Sequence, residues 1–177
     1  MANKKNPVRI SRELAKCSDY RKREIACSLY HEKRVWPEAS RIRVFMLIPS
    51  IEYPHFCAQC EDYLCAKACP FNTLSISDKT GAVKVKNKAR IASRKGIDAY
   101  PSRIPHIHPL EKHVVICDLC EGHPQRVKVC QEGKWNVLET TEREDNSYKL
   151  YARTPEETTK NLAIKFYREQ AEEYMWR

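Results

Sequence analysis

The feature that most constrains this chain is a run of four cysteines in the segment Cys57-Ala-Gln-Cys60-Glu-Asp-Tyr-Leu-Cys65-Ala-Lys-Ala-Cys69-Pro70. An iron–sulfur cube needs thiolates at its corners, and a C-x2-C turn supplies two sulfurs from one tight loop. A fourth cysteine that precedes a proline usually lies at the start of a helix and ligates a neighbouring cluster. We therefore expect Pro70 in the first turn of a following helix. Four thiolates also suit structural zinc, which remains the alternative. The C-x3-C-P ending favours a [4Fe–4S] cluster.

The cysteine content sets the expected compartment and the role of the thiols. The chain of 177 residues contains nine cysteines, an odd number that argues against complete pairing into disulfides. Its first residues, MANKKNPVRI, are charged and no apolar signal segment follows them. The longest apolar run, 44–48, is too short to cross a bilayer. We therefore expect a cytoplasmic chain without membrane insertion, whose reduced thiols bind metal.

The formal net charge of +9 suggests nucleic-acid binding at first sight. That charge omits the thiolates, however, and a cluster with four thiolates is itself negative. The Lys and Arg residues are also spread along the chain, with one dense stretch at 84–95. We interpret them as a solvated surface with a docking face for an acidic partner. No nucleic-acid binding is expected, and a basic zinc-binding nucleic-acid module is the remaining alternative of that class.

The residue pattern predicts a mixed α+β chain. Residues 1–16 should be irregular or briefly helical, and residues 86–112 mostly loop. Strands are expected at 42–48 and 113–116, and a β-hairpin at 74–85 in which Gly81 supplies a positive φ.

The C-terminal segment is different in kind. Thr154-Pro155-Glu156-Glu157 resembles a capping box with proline at the first helical position, and an apolar stripe follows. A helix should run to about Met175. It could pack on this chain or on another subunit.

The other cysteines form two weaker constellations. Cys117-Asp-Leu-Cys120 is followed by Cys130, and Cys17 and Cys27 lie near the N-terminus. The six histidines are further candidate ligands or proton carriers, and His106-Ile107-His108 places two imidazoles on one side of an extended segment as a metal pair would.

With these motifs the chain resembles the ferredoxin-type iron–sulfur subunits that accompany molybdenum- and tungsten-pterin oxidoreductases. The resemblance covers roughly residues 12–140. The segment from Cys57 to Pro70 matches the family's second motif completely, and residues 116–124 (ICDLCEGHP) match its fourth. Residues 24–32 (EIACSLYHE), with Ser40-Arg41-Ile42-Arg43-Val44 downstream, match the first motif.

Compared with that family, the chain has lost many ligands. In the fourth motif, Arg126 stands in place of a cysteine and Gln131 in place of the proline. In the first, Tyr20 and Arg23 replace the middle two cysteines. In the third, the four cysteines are replaced by Arg90, Ser93, Gly96 and Tyr100. Large side chains at these places could fill a cavity left by a lost cluster, and arginine would compensate nearby negative charge.

The resemblance implies that the first motif pairs with the fourth and the second with the third. Strict pairing gives one site of Cys57, Cys60 and Cys65 with Tyr100, and another of Cys27, Cys117 and Cys120 with Arg126. Cys69 is then left alone, and Cys17 is paired with Cys130.

Three other arrangements remain open. Cys69, a histidine or a partner residue could complete the Cys57 site. The second and fourth motifs could pair directly, which would join Cys130 to Cys57, Cys60 and Cys65, and Cys69 and an N-terminal cysteine to Cys117 and Cys120. Finally, Cys27, Cys117, Cys120 and Cys130 could form a zinc-like site.

We therefore expect an α+β, ferredoxin-like protein of two pseudo-symmetric [4Fe–4S] units (residues 1–150) with a C-terminal helical extension (151–177). It should hold one to three [4Fe–4S] clusters, with zinc as the alternative at a degenerate site. The resemblance implies an electron-transfer subunit, not an enzyme by itself. Its partners would be a large tungsten- or molybdenum-pterin subunit, of the aldehyde oxidoreductase or class II benzoyl-CoA reductase type, and a soluble carrier or further redox subunits. The alternative is a cluster-poor, structural scaffold subunit.

Overall fold

The computed structural model describes residues 9–12, 21–48, 51–57, 59–60, 62–86, 97–98, 104–141 and 154–168. They form a mixture of helices and small antiparallel sheets. The elements are β1 (Arg9–Arg12), α1 (Lys22–Glu32), β2 (Arg43–Ile48), β3 (Ile51–His55), α2 (Leu64–Lys67), β4 (Leu74–Ile76), β5 (Val83–Val85), β6 (His106–Ile107), β7 (Val114–Val115), α3 (Gln125–Glu132), β8 (Leu138–Thr141) and α4 (Pro155–Tyr167). Short 3-10 helices span Pro37–Ala39 and Leu119–Gly122.

The strands of the described residues pair two by two, as β1–β8, β2–β3, β4–β5 and β6–β7. The predicted hairpin is confirmed: Leu74 lies opposite Val85, and Gly81 has φ 66°. Strand β2 was also expected, but its partner β3 was not, because β3 contains Pro54. A two-stranded sheet tolerates this proline because its N–H side can face away from the ladder.

The expectation for the N-terminal residues is wrong. Arg9–Arg12 form a strand that pairs with Leu138–Thr141, far along the chain. A short polar stretch has no local signal for this state, and the partner strand supplies its backbone hydrogen bonds.

The helix expected after Cys69 is also absent from the described residues. Helix α2 ends at Lys67, before Cys69, and β4 already begins at Leu74. The residues between them form a turn with Asn72 at φ 49°. Pro70 therefore belongs to a turn, not to a helix start.

The C-terminal helix begins as expected. The Thr154 hydroxyl accepts a hydrogen bond from the Glu157 N–H at 3.2 Å, and the Glu157 carboxylate accepts one from the Thr154 N–H at 2.8 Å. This is the complete capping box. The described helix ends at Tyr167, and its expected continuation to Met175 lies outside the described residues. No helix among the described residues has the length and apolar character that crossing a bilayer requires.

Sulfur lies at the centre of the fold. Seven of the eight described cysteines belong to the main buried cluster, together with side chains such as Ile42, Phe56, Ile116 and Leu138. All eight described cysteines are buried free thiols. Cysteine is often buried as a small apolar residue, but here the thiols are concentrated at the contacts between elements.

Candidate metal centres

The segment from Cys57 to Cys69 forms the first region. Cys57, Cys60 and Cys65 are at most 4% exposed. The loop that carries these cysteines changes direction at Gln59 and Tyr63, where the backbone is left-handed. The Tyr63 hydroxyl donates to the Gly81 carbonyl at 3.0 Å and so fixes the loop against the β4–β5 hairpin.

The thiols of this region influence one another. Burial, together with the neighbouring Cys60 and Cys69, raises the pKa of Cys65 to about 11. Deprotonating such closely placed thiols becomes favourable when a cation is bound between them. The geometry therefore brings together three of the four sulfurs of the motif.

Cys69 is in a different environment from its neighbours. Burial raises its pKa, but hydrogen bonds outweigh that effect and the net pKa of the Cys69 thiol is lowered. Its sulfur lies 3.1 Å from the Thr73 hydroxyl oxygen, and backbone groups of Phe71, Thr73 and Leu74 also contribute. The turn after Cys69 thus stabilises a thiolate, the form that binds metal.

A second region surrounds a cavity lined by residues that include Cys27, His31, Arg41, Cys117, Cys120 and Arg126. Helix α1 supplies Cys27 and His31, and the turn after β7 supplies Cys117. Cys120 lies in the 3-10 helix with φ 47°, where the Asp118 carboxylate accepts a hydrogen bond from its N–H at 3.0 Å. The first and fourth motifs therefore meet in space at this cavity.

The thiols of the second region are also electrostatically coupled. Burial raises the pKa of Cys120 to about 12, and Cys117 and Cys27 act in the same direction. Burial likewise raises the pKa of Cys27, against hydrogen bonds from Ser40 and from the Arg41 N–H, which lies 3.3 Å from the sulfur. Backbone N–H groups directed at cysteine sulfur are typical of iron–sulfur sites.

Arg126 occupies the side of the cavity where the resemblance places a missing cysteine. Its Nη1 donates to the Cys117 sulfur at 3.0 Å, and its guanidinium lies 4.2 Å from the centre of the Phe56 ring. The residue is 4% exposed. A buried guanidinium needs negative charge nearby, and the thiolate of Cys117 would provide it.

The spacing of the sulfurs tests which metal group the residues fit. In a zinc site with Zn–S bonds of about 2.3 Å, neighbouring sulfurs lie about 3.8 Å apart. Among the described residues, no three cysteine sulfurs lie within 4.8 Å of one another. A cluster places each thiolate on a different iron, so its ligands are more widely spaced. The spacing of the described sulfurs is therefore wider than a four-thiolate zinc site requires. A single ion has one candidate group in the second region, because ligand atoms of His31, Asp118 and Cys120 lie within 4.8 Å of one another.

Comparison with known proteins identifies the family of the chain. No family model matches the chain. The polyferredoxin-like subunit of the aliphatic sulfonate oxidoreductase of Pyrococcus furiosus is 44% identical over 155 residues, which cover 87% of this chain and 90% of that protein. The chain belongs to the polyferredoxin-like subunits of oxidoreductases.

Solved structures with similarity to this polyferredoxin-like subunit include the active site complex BamBC of benzoyl coenzyme A reductase. In complex with benzoyl-CoA, a chain of it is 22% identical, with a TM-score of 0.44 over 96% of this chain and 98% of that one. As isolated, the identity is 22% and the TM-score 0.43, over 94% of each chain.

Within the polyferredoxin-like subunit, the two regions touch. The Gln59 side-chain amide donates to the Cys117 carbonyl oxygen at 3.0 Å. The guanidinium of Arg126 lies over the ring of Phe56, the residue that precedes Cys57. Both contacts join the second motif to the fourth. A substitution in one region can therefore alter the structure of the other.

Two of the predicted site residues lie apart from this description. Cys130, on α3, is fully buried, and its sulfur accepts hydrogen bonds from the N–H groups of Val137 at 3.2 Å and Leu138 at 3.4 Å. Cys17 lies outside the described residues, as do Tyr20 and Tyr100.

His31 contacts a cysteine of the second region, and the sequence did not single out this contact. Its Nε2 lies 3.7 Å from the Cys120 sulfur and 3.4 Å from the Asp118 carboxylate. Burial, followed by the charge of Arg41, lowers the pKa of His31 to about 4, so the imidazole is neutral at neutral pH. The signal for it was its position four residues after Cys27, on the same face of α1.

His106 and His108, noted above as candidate ligands, have different contacts in the structure. His106 Nδ1 faces the Ile104 carbonyl at 3.5 Å, whereas His108 stacks on His113 with ring centres 4.9 Å apart. The Glu111 N–H donates to His108 Nδ1 at 3.0 Å. His108, Glu111 and His113 bring ligand atoms within 4.8 Å of one another and form a second group that could hold a metal ion.

Proposed function

We propose that this chain transfers single electrons as an iron–sulfur subunit and leaves substrate chemistry to a partner. The observation that carries the proposal is the complete Cys57–Cys69 motif, whose sulfurs are buried together and receive hydrogen bonds from the protein. Sulfur ligands in such surroundings bind clusters whose potential is set by burial and by hydrogen bonds.

In the first region, Cys57, Cys60 and Cys65 would hold three corners of a [4Fe–4S] cluster and Cys69 the fourth. The coupling of Cys60, Cys65 and Cys69 supports this set. When bound, the cluster supplies one-electron exchange. The Thr73 hydroxyl and the Gln59 N–H, which lies 3.4 Å from the Cys57 sulfur, would stabilise negative charge on the ligands and raise the reduction potential.

The proposed partner is a large tungsten- or molybdenum-pterin subunit, with a soluble carrier or further redox subunits as the other electron partner. The similarity to a subunit of an aliphatic sulfonate oxidoreductase supports an oxidoreductase complex. We also propose a cytoplasmic location, where the thiols stay reduced until metal binds. In the finer architecture, residues 1–150 would form two ferredoxin-like units and residues 151–177 a helical extension.

The test is to purify the tagged chain anaerobically from its native host together with whatever it binds. Iron, acid-labile sulfide, tungsten and molybdenum are measured across the same chromatographic peak. We expect about four or more irons per chain and stoichiometric tungsten or molybdenum in a larger subunit. A peak that contains iron and sulfide but neither tungsten nor molybdenum would contradict the proposed partner.

A structural scaffold is the second candidate, and one contact favours it. Arg126 stands where the resemblance places a missing ligand, and its Nη1 donates to the Cys117 sulfur at 3.0 Å. A scaffold would be colourless and would carry zinc without acid-labile sulfide. The same metal analysis therefore separates the two functions.

A further inference from the structure

Three thiols of the described residues line the cavity of the second region. Cys27, Cys117 and Cys120 line it, and Arg126 stands on the side where a fourth would be. The described residues offer the cavity no further cysteine, since Cys130 points its sulfur at the N–H groups of Val137 and Leu138. The count of thiols therefore sets how many irons this cavity can hold through cysteine.

Two arginines of the cavity carry donors with no acceptor among the described residues. They are Nε and Nη2 of Arg126 and Nη1 of Arg41, and all three atoms are buried. Leaving a buried donor unsatisfied destabilises the fold, and more so when the donor is charged. An anionic group with several acceptor atoms would satisfy these donors on the wall of the cavity.

A single metal ion does not satisfy these donors. One ion could be held by His31, Asp118 and Cys120, whose ligand atoms lie within 4.8 Å of one another. Such an ion would use only one of the three thiols and would offer the arginine donors no acceptor. The inorganic sulfides of a cluster are acceptors, and its ligands lie further apart. The cavity therefore fits a cluster with one thiolate for each of three irons.

We propose that Cys27, Cys117 and Cys120 bind a [3Fe–4S] cluster and that Arg126 closes the corner where a fourth iron would lie. Arg126 holds the Cys117 sulfur through Nη1 and directs Nε and Nη2 at the sulfides that the missing iron leaves open. Phe56 keeps the guanidinium in place from the other side. The inference rests on the proposed iron–sulfur function and specifies which centre lacks an iron.

The experiment compares the complete native complex with Arg126→Cys and with Arg126→Lys, which keeps the charge. An oxidised [3Fe–4S] cluster has an odd number of electrons and gives an EPR signal, whereas an oxidised [4Fe–4S] cluster is silent. We expect the oxidised native protein to show the three-iron signal. Arg126→Cys should abolish it and add about one iron per chain, and Arg126→Lys should retain it.

Cys27→Ser and Cys57→Ser assign the signal to a region, because air damage to a [4Fe–4S] cluster can produce a similar signal. The inference predicts that Cys27→Ser removes the signal and Cys57→Ser does not. The reverse pattern, or a native protein without the signal, would overturn it even if Arg126→Cys failed to fold. Native protein without iron or sulfide would instead overturn the proposed function, so the two failures are distinguishable.

Discussion

The two cysteine regions have similar burial but differ in the residue that faces the fourth position. In the first region we assign this position to Cys69, and hydrogen bonds lower the pKa of its thiol. In the second, Arg126 faces it and donates to the Cys117 sulfur. One region thus keeps a fourth ligand, while the other replaces a ligand with a cation.

This difference shows that losing a cysteine need not mean losing a metal site. An eroded site would be expected to fill its cavity with apolar side chains, because an unpaired buried charge is costly. The second region instead keeps three buried thiols, a neutral imidazole and two guanidinium groups around one cavity. We interpret it as a modified centre, and the following predictions test the contrast with the first region.

The largest expected effect is the loss of one whole centre. Cys65 is fully buried in the first region, and Cys65→Ser should remove about four irons per chain. Cys117→Ser should remove about three and leave the spectrum of the first region unchanged. Iron and sulfide analysis of both variants checks this. If either variant alone lost all the iron, the two regions would not hold separate centres.

The next effect concerns the contact between the regions. Gln59→Leu removes the hydrogen bond to the Cys117 carbonyl and leaves a buried acceptor unsatisfied, so the free energy of unfolding should fall by about 1–3 kcal/mol. Gln125→Leu is the matched control, because the Gln125 amide donates to His123 in an exposed bond. Its effect should stay within about 0.5 kcal/mol. Denaturant titration measures both, and equal changes would show that the regions are not coupled through Gln59.

A third effect is the acid sensitivity of the second region. The pKa of His31 in the fold, about 4, lies below its unfolded value of 6.5. The unfolded chain therefore takes up the proton first, and stability is lost as pH falls from about 6.5 to about 4. In the reduced apoprotein, His31→Gln should flatten the dependence of unfolding free energy on pH in that window. An unchanged slope would show that His31 is not buried in its neutral form.

The smallest effect lies outside both regions. Thr154→Ala removes the cap of α4 and should cost about 1 kcal/mol of local helix stability. Hydrogen exchange should increase in the first turns of α4, while the iron content of both regions remains unchanged. Iron loss in this variant would argue against an extension that is separate from the cluster-binding part.

Local signals predicted much of the fold. The hairpin around Gly81, the strand at β2 and the capping box at Thr154 each depend on neighbours in sequence, and each was found. The pairing of β1 with β8 joins residues more than a hundred positions apart, and its strands carry no distinctive pattern. Such contacts depend on the whole chain, which is why the N-terminal prediction was wrong.

In the candidate site, too, local features were predictable from the sequence and contacts between distant residues were not. The cysteine spacing identified the thiols, and the family register placed Arg126 beside them. The sequence could not show that Arg126 bonds to Cys117 rather than to solvent, or that His31 reaches Cys120. These contacts depend on how α1 and α3 pack against the turn after β7, which spacing does not encode.

The most direct test of the whole account is the iron, zinc and acid-labile sulfide content of the chain in its native complex, purified without oxygen. The account predicts brown protein with iron and sulfide in similar amounts, at about four or more of each per chain, and little zinc. Colourless protein with stoichiometric zinc and no sulfide would contradict it.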